Sequence, residues 1–146
     1  MSKSNTFESD LLLLIFNNTN IANLGDATGL RGSSTAGSLY VALHTGDPGE
    51  AGTASTSEAT YTSYARVAVA RSGAGWTVSG NAVSNAAAIT FPACTGGSNT
   101  ITHWSITDTV SGGSDVMYKG SFSASLAVSS GITPNIPIGD LDITED

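Results

Sequence analysis

The spacing of hydrophobic residues changes period once along this chain. Over residues 5–17, Phe7, Leu11, Leu14 and Ile15 recur at helical spacing, and Leu12, Leu13 and Phe16 widen the stripe almost all round. This predicts a helix over 5–17, capped by Asn5 or Thr6, with Glu8 and Asp10 in the first turn where the helix dipole favours them. Asn17-Asn-Thr-Asn20 ends it, and a short helical turn at 21–24 fits before a loop of Gly25–Gly29 and Arg31–Gly37. From residue 38 the period becomes two, which predicts strands at 38–44, 63–71, 75–79, 82–91, 100–108, 115–123, 125–129 and 135–144. Gly-rich turns separate nearly all of them, among them Ser72–Gly75, Gly80-Asn81, Gly96–Asn99 and Ser111–Ser114.

Short strands at such spacing predict an antiparallel β-sandwich, jelly-roll or immunoglobulin-like, with one N-terminal α-helix. A single domain is expected, with residues 1–37 as the helix and connecting loop and 38–146 as the sandwich. Ala87, Ile89 and Phe91 share one strand face, and Thr102, Trp104 and Ile106 share another. Trp104 therefore reads as core, whereas Trp76, at a strand start after Ala74-Gly75, is a candidate for exposure. Gly120 is a candidate bulge. Thr53–Thr60 is a small-polar stretch that reads as an exposed excursion. A helix apolar on so many sides must be covered on more than one of them. It either plugs an end of the sandwich or packs against a neighbouring subunit.

Composition narrows the function. Hydrophobic residues make up 40% of the 146, but only 12% are charged, so Ser, Thr, Asn and Gly must cover most of the surface. The net charge of −7 repels phosphate backbones and acidic membranes, so neither nucleic acid nor membrane is expected as a partner. A single cysteine, Cys94, rules out an intrachain disulfide and fits folding in a reducing cytoplasm. The apolar run Leu11–Phe16 is too short for a signal peptide core or a membrane span.

Catalytic constellations are weak. Cys94 with His44 or His103 would be the minimum for a thiol nucleophile and base, but no basic neighbour or helix start activates the thiol. A Gly-x-Ser-x-Gly elbow is lacking. His44 with Asp47 falls short of a metal ligand set, and the alternating acids of 140–146 read more simply as a last strand with a charged end. No enzyme activity, cofactor or metal is expected. Trp76, Trp104, Tyr61 and Tyr64 raise sugar stacking as an alternative use of the aromatics. In so uncharged a chain, Arg66 and Arg71 read either as interface anchors or as guards of an edge strand.

Four segments carry a resemblance: Leu39-Tyr-Val-Ala-Leu-His-Thr-Gly-Asp-Pro-Gly-Glu-Ala-Gly52, Ser63-Tyr-Ala-Arg-Val-Ala-Val69, Ala87-Ala-Ile-Thr-Phe-Pro92 and Ile101-Thr-His-Trp-Ser-Ile-Thr-Asp108. Together they resemble small virion proteins of tailed bacteriophages, of the tail-fibre-like or decoration type. The resemblance implies a non-enzymatic, oligomeric component of the particle, assembled in the bacterial cytoplasm. The expected role is capsid decoration through contacts with the major capsid protein. The alternative is a short tail-fibre, neck or tail appendage that contacts a neighbouring tail or neck protein or a host-surface glycan. Candidate interface residues are Phe7, Leu11 and Leu14 on the helix, Thr45, Asp47 and Glu50 in the loop, and Arg66 and Arg71.

Overall fold

The computed structural model describes residues 2–22, 24–25 and 29–145. Helix α1 spans Asn5–Asn17. The strands are β1 (Ser38–His44), β2 (Val67–Ala70), β3 (Trp76–Ser79), β4 (Ala82–Asn85), β5 (Ile89–Thr90), β6 (Ser98–Thr107), β7 (Val116–Ser129), β8 (Asn135–Ile136) and β9 (Asp142–Thr144). The protein is mainly β with one N-terminal helix, and the β1–β6, β6–β7, β3–β4 and β4–β9 ladders are antiparallel. It divides into two compact units. The first comprises Met1–Ser38, Val69–Ala88 and Ile136–Asp146, and the second Leu39–Ala68 and Ile89–Asn135. Positions 26–28 of the expected loop and position 23 of the expected helical turn lie outside the described residues.

In the first unit, α1 packs against the β3-β4-β9 sheet. The cap lies one residue before the expected candidates: Ser4 Oγ accepts the Phe7 N–H at 3.4 Å. The helix stops where Asn18 turns left-handed (φ 55) and Thr19 N–H donates to Leu13 O at 3.0 Å. Its buried row is Glu8, Leu12 and Phe16, spaced four apart, and not the Phe7–Leu11–Leu14 row. When apolar residues nearly encircle a helix, periodicity alone does not say which row faces inward. Here Trp76 selects it. Its indole meets the Phe16 ring edge-on, with centroids 4.8 Å apart and planes at 66°. Trp76 is fully buried, which corrects its reading as a candidate for exposure.

Two side chains tie this unit's loops. Arg71 donates from Nε to Ile15 O at 2.7 Å, from Nη2 to Leu14 O at 2.8 Å and from Nη1 to Ala36 O at 3.2 Å. It thus satisfies the last carbonyls of α1 with a cation, as the helix dipole favours. Asn85, also buried, donates to Ala87 O and Pro137 O, both at 2.8 Å, and accepts Leu141 N–H at 3.0 Å. These bonds explain why the expected strand 82–91 stops at Asn85. The expected strand 135–144 is likewise split into β8 and β9, because Pro137 lacks a donor and Gly139 has φ 78.

The second unit is built on the antiparallel β1-β6-β7 ladder. From Val41 to His44 every residue of β1 is buried, so this strand is covered on both faces. β2 begins only at Val67 rather than at 63, since Ser63 adopts φ 80 and Thr62 bonds to Gly96 instead. β7 is one continuous strand where two were expected. Its bulge lies at Met117 rather than Gly120, because Ile106 pairs with Tyr118 and Thr107 with Val116. A longer irregularity covers 122–125, between the Ile101–Leu126 and His103–Ser121 pairs. Gly120 has another task. It pairs directly with Trp104, and a Cβ there would lie 2.5 Å from Trp104 Cζ2.

Candidate functional site

At His44 the chain leaves β1 for an excursion over 45–57, then returns beside the strand it left. Thr45 N–H donates to Ser57 O at 2.8 Å, and Ala59 N–H donates to Leu43 O at 2.8 Å, closing the base. Loops of this length with joined ends pack on their own side chains. Here Pro48 and Ala54 are the buried ones, so the stretch expected to be an exposed excursion is in part folded inward. Farther out, Ala54 N–H donates to Ser114 O at 2.9 Å.

The outer end of the excursion is charged. Lys119 of β7 pairs with Asp47 at 3.1 Å and with Glu50 at 3.2 Å. Gly49 N–H also donates to Asp47 Oδ1 at 2.8 Å, and this bond, followed by Lys119, holds the Asp47 carboxyl below the usual carboxylate range. Asp47 and Glu50 in turn hold the Lys119 ammonium above its ordinary value. Beside them opens a cleft of about 240 Å³, lined by Gly49, Glu50, Val116, Met117, Tyr118 and Lys119. A lysine between two carboxylates has the composition for a side-chain amide cross-link. The charge state opposes that chemistry, because an ammonium has no lone pair to attack with and a carboxylate resists attack.

At the inner end, His44 is fully buried. Its Nδ1 lies 2.9 Å from Thr56 O and its Nε2 lies 2.7 Å from Ser105 Oγ. A carbonyl only accepts, so Nδ1 carries the proton and Nε2 accepts from the Ser105 hydroxyl. Burial holds its pKa below the ordinary 6.5, with the Thr56 bond and Glu58 opposing that shift.

Next to it, Arg66 and Glu58 form a two-pronged pair. Nε reaches Oε1 at 2.7 Å, and Nη2 reaches Oε2 at 2.9 Å. The remaining guanidinium donors go to Thr109 O at 3.1 Å and Gly112 O at 2.7 Å. Tyr64 Oη donates to Glu58 Oε1 at 3.1 Å and accepts Leu43 N–H at 3.0 Å. Burial pushes this phenol's pKa well up. The second unit's turns are thus tied together by one hydrogen-bonded network.

Of the sequence candidates, Thr45, Asp47 and Glu50 share the excursion. Arg66 is turned inward, its side chain 1% exposed and its donors used within the chain. Arg71 likewise uses its donors on carbonyls of its own unit. On α1, Phe7 is exposed, and Leu11 and Leu14 are half-buried. Cys94 is buried and donates to Gly96 O at 3.2 Å, while His44 and His103 bond to other groups. Among the described residues, no three His, Cys, Asp or Glu side chains converge to hold a metal. None of their helices is long and apolar enough to cross a membrane. Sequence reasoning missed Lys119 and Glu58, and read Tyr64 for sugar stacking rather than as a hydrogen-bond partner of Glu58. The available signal was the scarcity of charge: in a chain with so few cations, each invites a search for its acidic partner.

Residues 2–144 match the family described as podophage GP4 fiber I protein gp80. The chain belongs to this family. No curated protein matches it. The gp80 match takes in both units, including α1, the excursion and the Arg66 network. The chain is therefore a fibre-type structural protein of a phage virion, as the resemblance implied in its broader form.

Proposed function

We propose that this chain is a non-enzymatic subunit of a phage tail fibre or short tail appendage, held in the particle by surface contacts with a neighbouring tail or neck protein and with further copies of itself. The observation that carries this reading is the fibre-family match over nearly the whole chain. It favours the appendage reading over capsid decoration. The attachment surface is the outward row of α1, where Phe7 is 37% exposed and Leu11 and Leu14 are half-buried. An apolar row left open at the surface of a chain this polar is the kind of face a partner covers.

Cryo-electron microscopy of intact particles tests the placement. Density for this chain at the neck or tail supports the proposal. Copies repeated over the icosahedral shell would return the role to capsid decoration.

A further inference from the structure

The excursion over 45–57 is fastened to its unit at three places of different chemistry. The Lys119 pairs with Asp47 and Glu50 lie at the surface. The Ala54–Ser114 bond joins two backbones and does not titrate. His44 is the third fastening, and its side chain is the one that changes charge in weak acid.

The surroundings of His44 decide what a second proton does. The Nδ1–H bond to Thr56 O survives protonation, and Ser105 Oγ turns from donor to acceptor for the new Nε2–H. His44 therefore keeps both of its hydrogen bonds, and the cost is a buried cation with little compensation. The groups facing it are few. Glu58, from the returning chain, is the favourable charge, but its two oxygens are already held by Arg66 and Tyr64. Arg66, and His103 of β6, disfavour an imidazolium. The Lys119–Asp47 pair lies at the outer end of the excursion.

A buried imidazolium is relieved by water. His44 has β6 as its neighbour through the five paired positions from Tyr40–Thr107 to His44–His103, and the excursion as its neighbour through the Thr56 carbonyl and the chain around it. The second cover is the cheaper to remove, because it is held by few bonds. We infer that His44 is an acid-sensitive latch: on protonation the excursion over 45–57 lifts from the sheet and hydrates the imidazolium, while the β1–β6–β7 ladder stays intact. The inference stands apart from the proposed place in the virion.

Amide hydrogen exchange of the full chain tests it, corrected for intrinsic exchange and run from about pH 7.5 to about pH 5, beside an NMR titration of the histidine rings. The latch requires protection over 45–57 to fall by up to about tenfold per pH unit as the pH drops below 6.5, where an exposed imidazole takes up its proton and the closed one does not, with β6 and β7 unchanged. His44→Asn keeps an amide donor for Thr56 O and lacks the titration, so its excursion exchange should be independent of pH. His103→Asn should behave as the wild type. Protection over 45–57 that stays constant as the pH falls below 6.5 overturns the latch, as does joint loss of protection in β6 and β7. If His44→Asn fails to fold, the wild-type and His103→Asn profiles still decide the matter.

Discussion

Arg66 and Glu58 meet through two parallel bonds of 2.7 and 2.9 Å, and the arginine side chain is only 1% exposed. A guanidinium in this position cannot be removed without leaving the Glu58 carboxylate with only the Tyr64 hydroxyl, and the Thr109 and Gly112 carbonyls without their arginine donor. Loss of one partner of a buried pair costs about 3–5 kcal/mol, whereas loss of both together costs less. Arg66→Ala should therefore lower stability by about 3 kcal/mol, at the low end because Glu58 retains some solvent contact. Denaturant midpoints of Arg66→Ala, Glu58→Ala and the double variant check this. A strictly additive double variant would contradict the coupling.

Gly120 and Trp104 make a second coupled pair. With the Cβ position 2.5 Å from the indole, Gly120→Ala must push the ring or open the ladder. Overpacking of this kind costs about 1–3 kcal/mol, and the near-ultraviolet signal of Trp104 should change. Shrinking the ring in the Gly120→Ala, Trp104→Leu double variant should recover part of the loss relative to the sum of the single variants.

Asn85 satisfies two carbonyls and one N–H at once, at 2.8, 2.8 and 3.0 Å. Asn85→Ala leaves the Leu141 N–H, in a buried residue, without its acceptor, and the Ala87 carbonyl without this donor, while Pro137 O keeps the Asp140 N–H. Loss of about 1–3 kcal/mol is expected, with exchange at 138–141 rising first.

The pH dependence of stability follows from two shifts of opposite chemistry. His44 binds its proton less readily when folded than at 6.5, so its contribution is complete above that pH and declines as the medium falls below it. Asp47 also has a lowered pKa; its contribution is complete above 3.8 and declines as its carboxylate protonates. Unfolding midpoints should therefore fall in two stages on acidification. His44→Asn should remove the stage near neutrality and leave the other.

Leu11→Asp places a charge on the half-buried outward row of α1. The isolated protein should lose less than about 1 kcal/mol, because this row is not the one packed on the sheet. Incorporation into particles should fall severalfold, as judged by quantitative labelling of purified virions. Full occupancy would show that α1 is not the attachment face.

Local rules carried much of this protein. The helix bounds and β1 follow from the change of hydrophobic period and agree with the structure residue for residue. The antiparallel, mainly β class follows from alternation and Gly-rich turns, both of which act over a few residues. The loop from Gly46 to Gly52 was legible because Gly and Pro restrict the backbone locally.

Three-dimensional packing decided the rest. The inward row of α1 depended on Trp76, 60 positions after Phe16, and a periodic pattern carries no information about a partner so distant. Arg66 read as an interface anchor or as a guard of an edge strand, yet Glu58, eight positions earlier, takes its guanidinium inward and Gly112 completes its shell. Lys119 joined Asp47 across 72 positions for the same reason. Propensity and period act along the chain and can be read from it. Charge pairing, the bulge at Met117 and the choice of buried face depend on which distant segments meet, and that is settled only when the chain has folded.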